Sequence, residues 1–230
     1  MNLLVLIPAY NEAPNIVRTV TSLQENCPGM DFIVINDGSS DATARLCRQE
    51  GYPLLDLPVN LGLAGAFQTG IRYAWQKGFD AALQFDGDGQ HEASCIPLLM
   101  TAAEETGADV VIGSRFLTQK KPFSARMFGS RMLTEAIRLT TGKKLTDPTS
   151  GMRLYNRKVI ERIADNINYG PEPDTLAYLI RSGVKVSEVQ VEMHERMAGT
   201  SYLTLGRSMS YMLNMVVSIF VLQFFRKRGD

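Results

Sequence analysis

The chain reads as an α/β protein with a mostly parallel central sheet and helices on both faces. Three observations predict this. Short apolar runs, each reading as a buried strand, alternate with stretches of helical spacing over residues 3–113. Three of those runs end in acidic residues: Glu12, Asp37 and the pair Asp86 and Asp88. The 230 residues are 45% hydrophobic, enough for one sizeable core or a domain with an appendage.

The elements follow in order. A strand over 3–7, ended by Pro8, precedes a helix over 13–26 with Asn11 as its cap. A strand over 32–35 precedes a helix over 41–50 capped by Asp41. Strand 54–57, helix 64–77, strand 80–85, helix 95–106 and strand 109–113 continue the alternation. The rhythm loosens after Arg115. There follow a basic segment, a helix near 126–141, the turn at 147–151, a helix over 172–182 and a strand over 184–191. Residues 209–225 are almost wholly apolar, broken by Ser210, Asn214, Ser218 and Gln223, and lead into Arg226-Lys227-Arg228.

Composition narrows the function classes. Lys+Arg and Asp+Glu both number 24, so charge balance gives no argument for nucleic acid, and no nucleic-acid recognition motif is present. Three scattered cysteines, Cys27, Cys47 and Cys95, suggest neither a disulfide frame nor a zinc site. They fit a reducing cytosolic setting. The N-terminus reads without a signal peptide, and the chain shows no internal repeat.

Asp86-Gly87-Asp88-Gly89-Gln90-His91 is the stretch richest in chemistry. Two carboxylates one residue apart, on a glycine-opened loop just past a strand, can hold a hard divalent cation and leave positions for substrate phosphates. Asp-Gly pairs are also ordinary turn chemistry. The other strand ends decide for a site, because ligands of open α/β sheets bind at that edge.

Six motifs then resemble family 2 glycosyltransferases. They are Pro8-Ala9-Tyr10-Asn11-Glu12, Asn36-Asp37-Gly38-Ser39-Ser40-Asp41, Asn60-Leu61-Gly62, the 86–91 segment, Gly113-Ser114-Arg115 and Asp147-Pro148-Thr149-Ser150-Gly151. The branch is similar to the polyprenyl-phosphate sugar transferases, such as dolichyl-phosphate mannose synthase. The resemblance covers about residues 1–201. It implies a GT-A (Rossmann-like) nucleotide-sugar-binding fold, a nucleotide-diphosphate sugar donor, Mg²⁺ or Mn²⁺, and inversion at the anomeric carbon. Pro8, Ala9, Tyr10, Glu12, Asp37, Asp86, Asp88 and Arg196 match its donor side. Asp86, Asp88 and Gln90 match its metal set. His91 reads equally as a ligand and as a supporting or packed residue.

The resemblance assigns Arg115, Arg126 and Ser130 to the acceptor phosphate, which suits arginine's planar fork. A solvated surface is the alternative for Arg126 and for Arg131. Arg196 opens a segment that closes on the donor diphosphate in relatives; Tyr202 stands where many of them have a lysine. Asp88, Asp174 and Arg196 are the catalytic set that the resemblance implies. Asp174 is a base if the acceptor is a hydroxyl. It is an orienting or electrostatic residue if the acceptor is a phosphate, which arrives ionised, and Glu172 could take that role.

The expected domains are 1–202, catalytic, and 203–230, a C-terminal apolar helix. Residues 209–225 would extend about 26 Å against roughly 30 Å of hydrocarbon. The polar residues at 210, 214 and 218 suggest a stripe, hence a helix lying on a membrane or packed on a partner, with a core helix as the alternative. A small integral membrane protein is the expected source of further anchoring, and a homo-oligomer is the other expected assembly. The reading is an inverting transferase moving sugar to polyprenyl (undecaprenyl) phosphate at the cytoplasmic membrane face. Two others stay open: transfer to a glycan hydroxyl, and a membrane-recruited nucleotide-sugar-binding module without catalysis.

Overall fold

A computed structural model describes residues 1–166, 169–193 and 205–222. Its centre is β1 (Leu3–Ala9), buried at every residue. Successive side chains of a strand point to opposite faces, and both faces here are covered. Leu4 and Leu6 enter one core cluster; Leu3, Val5, Ile7 and Ala9 enter the other. Each fully buried Leu, Val or Ile contributes about 1.5–3 kcal/mol, so β1 anchors both halves of the core.

The sheet has seven strands in the order β3-β2-β1-β4-β6-β5-β7. To one side of β1 lie β2 (Asp31–Asn36) and β3 (Leu54–Asp56), both parallel. To the other side β4 (Ala81–Gln84) is parallel to β1. Beyond it β6 (Arg153–Asn156) runs antiparallel to both β4 and β5 (Val110–Ser114). β7 (Val186–Gln190) closes the sheet parallel to β5.

Helices α1 (Ile16–Asn26), α2 (Thr43–Gln49) and α4 (Ile96–Thr106) supply apolar residues to one cluster. Helices α3 (Gly62–Gln76), α5 (Ala125–Thr141), α6 (Arg157–Ala164) and α7 (Pro173–Arg181) supply the other. The three cysteines are free and buried, and burial pushes each thiol up from its ordinary pKa.

The alternating first half follows the sequence reading closely. Two elements do not. The sequence reading assigns nothing to residues 153–164, where β6 and α6 lie, although Val159, Ile160, Ile163 and Ala164 of α6 fall on one helical face. A four-residue strand that opens on a buried arginine carries no apolar pattern to read. The helix caps also shift. Asn11 sits at φ 55° ahead of α1, and its Oδ1 accepts from Ser40 N at 2.9 Å, joining two loops instead of capping.

The C-terminal segment requires a correction. Helix α8 (Leu205–Val217) continues into one π-helical turn over Ser218–Leu222. Met212 and Ile219 belong to the core cluster shared with α5 and α7. Ser218, expected on an outward polar stripe, is 5% exposed and donates to Asp174 Oδ2 at 2.6 Å. One face therefore packs inward on the domain. The other shows Leu213, Val217, Phe220 and Val221, all exposed. Among the described residues no helix is long and apolar enough to cross a membrane.

Candidate active site

The parallel strands deliver their C-terminal ends to one rim, and the loops there line a groove of about 520 Å³. Pro8, Ala9, Tyr10, Glu12, Asp37, Asp86 and Asp88 all border it, with Asn60, Gly62 and Leu63 opposite. The residues expected on the donor side are thus brought together, Arg196 excepted; it lies outside the described residues, as do Tyr202 and Arg226-Lys227-Arg228.

The first two loops are laced to each other. Ala9 O accepts from Asp37 N at 2.9 Å, and Ser39 Oγ accepts from Asn11 N at 2.9 Å. Asp37 is 3% exposed, and its Oδ1 accepts from Leu61 N at 2.7 Å. Gly38, at φ 63°, passes so near the backbone of Val59 that a Cβ there would stand 2.5 Å from Val59 C. Only glycine fits both demands. Glu12 is buried, takes Asn15 Nδ2 at 2.7 Å, and opens α1 through its carbonyl. Asp41 accepts from the backbone N–H of Ala13 and of Thr43 and from the Thr43 hydroxyl. Burial opposes its ionisation, but these hydrogen bonds prevail and hold its carboxyl below the usual range.

Asp86 is held at both ends. Gln84 Nε2 donates to its Oδ1 at 2.8 Å, and His91 Nε2 stands 3.5 Å from its Oδ2. The backbone N–H of Asp86 donates to His91 Nδ1 at 2.9 Å. That nitrogen must therefore accept, so the neutral ring carries its proton on Nε2, facing the carboxylate. His91 is 6% exposed and packs on Phe85 with ring centroids 5.7 Å apart. It orients Asp86 and leaves an oxygen-only donor set. Asp88 Oδ1 takes the Gln90 backbone N–H at 3.1 Å. Two loop carboxylates and an amide fit Mg²⁺ or Mn²⁺, which prefer oxygen ligands. Among the described residues no cluster of three or more His, Cys, Asp or Glu forms a metal site.

A second cavity, about 310 Å³, adjoins the groove, and Asp86 and Leu63 border both. Its wall holds Ser130, Thr149, Arg153, Glu172 and Tyr211. Arg153 opens β6 and is 2% exposed; it donates to Ser150 O at 2.9 Å and Pro148 O at 2.7 Å. Burial, and then the Glu172 carboxylate, push the Tyr211 hydroxyl well above its ordinary pKa. The sequence reading missed Arg153. Its place two residues after Gly151, the end of the 147–151 turn, was the available signal.

The other expected acceptor and catalytic residues fall as follows. Arg115 forms a two-pronged pair with fully buried Asp147, Nε to Oδ2 at 2.7 Å and Nη2 to Oδ1 at 2.9 Å. Arg126 is the second residue of α5, and its side chain lies outside what is described. Ser130 is 1% exposed and accepts from Lys121 Nζ at 2.8 Å. Asp174, 5% exposed, accepts from Thr175 N at 2.8 Å and from Ser218. Glu172 borders the cavity; Asp174 is not among its lining residues.

Comparisons with known proteins fit this geometry. Residues 4–164 match the family model described as Glycosyl transferase family 2. The chain is 31% identical over 219 residues to the undecaprenyl-phosphate mannosyltransferase of Micrococcus luteus, covering 90% of this chain and 89% of that protein. It is 29% identical to the polyprenol monophosphomannose synthase of Mycolicibacterium smegmatis, covering 87% and 80%. Glucosyl-3-phosphoglycerate synthase from Mycobacterium tuberculosis, solved with Mn²⁺, uridine diphosphate and glucosyl-3-phosphoglycerate, superposes with a TM-score of 0.67 at 17% identity. That alignment covers 95% of this chain and 79% of the other.

Proposed function

The chain belongs to glycosyl transferase family 2, and from that premise we propose that it transfers a sugar, with inversion, from a nucleotide-diphosphate sugar to a polyprenyl phosphate. One observation carries this: two cavities of different character meet at Asp86. The groove offers the carboxylates of Glu12, Asp37, Asp86 and Asp88, suited to a nucleoside and to a cation-bridged diphosphate. The second cavity offers Arg153 and Ser130, suited to an anionic acceptor. The named relatives act on lipid phosphates, and a structural neighbour of the same fold binds Mn²⁺ and uridine diphosphate.

Asp86, Asp88 and Gln90 would hold the divalent cation, which supplies Lewis-acid compensation for charge on the leaving diphosphate. A phosphate oxygen of the acceptor attacks the anomeric carbon from the second cavity as the bond to the diphosphate breaks. A phosphate monoester is ionised at neutral pH, so no strong base is required. Glu172 then acts on the electrostatics and orientation of the acceptor, and Asp174 supports that wall through Ser218.

Work at the cytoplasmic membrane face, by peripheral attachment, completes the proposal. The attachment is supported by exposed Phe123 just before α5 and Phe128 in its first turn, and by Leu213 and Val217 on α8 and Phe220 in the turn that follows it. The test is a panel of nucleotide sugars with undecaprenyl phosphate as acceptor and Mg²⁺ or Mn²⁺ present. Lipid-linked sugar forming in step with nucleotide release is expected. Transfer only to hydroxyl acceptors, or no nucleotide release from any donor, would overturn the proposal.

A further inference from the structure

Lys121 is a cation that the reading above does not use. Its ammonium reaches Ser130 Oγ at 2.8 Å and Thr134 Oγ1 at 3.2 Å, and stands 5.5 Å from the ring centroid of Phe116. Among the described residues no carboxylate lies within ion-pair distance of it. The nearby Asp147 is occupied by both prongs of Arg115. The direct contacts of this half-buried positive charge are thus hydroxyls and a ring face, with the Asp147 and Glu188 carboxylates acting on it only from beyond ion-pair distance, an arrangement that favours an added anion.

Hydrogen-bond chemistry fixes the rest. An ammonium donates and cannot accept, so Ser130 Oγ must be the acceptor. Among the described residues Ser130 Oγ has no second partner, and it lines the cavity containing Arg153. Its own proton is therefore left for a group inside that cavity. We propose that Lys121 is a positioning residue for the acceptor phosphate, turning the Ser130 hydroxyl into a donor and placing a positive charge behind it. This rests on the polyprenyl-phosphate reading. Burial, followed by the opposing Asp147 carboxylate and the adjacent Arg115, leaves the amine titrating below an ordinary lysine. Glu188 and Arg131 are the other charges facing it.

The experiment is steady-state kinetics with undecaprenyl phosphate on wild type, Lys121→Met, Ser130→Ala and the double variant. Lys121→Met should raise the acceptor KM about tenfold, with kcat and donor KM within about twofold. The double variant should be no worse than the poorer single variant, because both remove one device. In wild type the acceptor KM should rise in the alkaline range as the amine loses its proton. In Lys121→Met it should be high and flat. The acceptor phosphate is fully ionised there and contributes no such limb. A wild-type acceptor KM in Lys121→Met, multiplying effects in the double variant, or the same alkaline rise without Lys121 would each overturn the proposal. If Lys121→Met does not fold, a flat wild-type profile up to about pH 10 overturns it equally. Absence of any lipid-linked product from wild type would remove the transfer reading itself, whereas transfer with an unchanged acceptor KM in the variant removes Lys121 alone.

Discussion

Gly151 packs against Asp86 with no room for a side chain. A β-carbon there would stand 2.5 Å from Asp86 Oδ2 and 3.3 Å from His91 Cε1. Gly151→Ala must therefore displace the carboxylate that borders both cavities. Overpacking of this kind costs about 1–3 kcal/mol of stability. Turnover should fall at least about tenfold, with a higher Mn²⁺ requirement, in protein still folded by urea titration. Activity that merely tracks the folded fraction would contradict this.

Asp88→Ala should abolish transfer, as should exhaustive chelation of wild type, because the carboxylate pair faces the proposed diphosphate position. The check is nucleotide release with and without added Mg²⁺. Near-wild-type turnover in either arm would end the metal-assisted mechanism.

Asp174→Asn should behave differently. Its carboxylate is spent on Ser218 Oγ and Thr175 N, so removing the charge weakens a charge-assisted bond at a cost of about 1.5–3 kcal/mol. The midpoint of denaturation should drop while kcat stays well above that of Asp88→Ala. Glu172→Gln, inside the cavity, should affect kcat more than stability. If Asp174→Asn kills activity without destabilising the protein, a base and a hydroxyl acceptor become the better reading.

The C-terminal helix separates into two faces that can be tested apart. Substituting Leu213, Val217 and Phe220 together by Ser should reduce sedimentation with anionic vesicles and leave the melting temperature nearly unchanged, since all three are exposed. Deleting residues 209–228 removes Met212 and Ile219 from the core. Such losses cost about 2–5 kcal/mol per large side chain, so the truncated chain should be poorly folded. A truncation as stable as the whole chain would show that the inward face contributes nothing.

Acid stability should carry the mark of Asp41. Its folded-state pKa is lowered by hydrogen bonds, so its contribution is present above the unfolded value, about 3.9, and is lost as pH falls through the folded one. Asp41→Asn should destabilise at pH 7 and converge on wild type near pH 2. Equal destabilisation at both would assign the loss to packing.

What could be read from the sequence depended on periodicity. The runs 3–7, 32–35 and 80–85 have it, and their acidic C-terminal ends placed the groove correctly on one rim. Arg153 and β6 have none: four residues with a buried cation look like a loop until β4 and β5 are seen to flank them. Lys121 is not singled out within the basic segment, since its contacts with Ser130 and Thr134 depend on how the 115–124 loop returns over α5. Ser218 misled because a stripe at i, i+4 drifts about 40° per step around an α-helix: two steps past Ser210 it reaches the inward face, seven residues after Tyr211, which also packs on the core.

Strand β6 runs against its neighbours, and this has a consequence for how such proteins diversify. The chain departs from the rim at Ser114 and comes back to the same rim at Arg153, without crossing beneath the sheet in between. Residues 115–152 are thus one excursion from that rim: α5 within it is anchored in the core by Leu133, Ala136 and Ile137, while Lys121, Ser130 and Thr149 stand at the acceptor side. Those cavity-side residues can change while the groove bordered by Glu12, Asp37 and Asp88 stays where β1, β2 and β4 put it. Acceptor preference can drift or be grafted on one side of Asp86 while donor preference is inherited intact on the other.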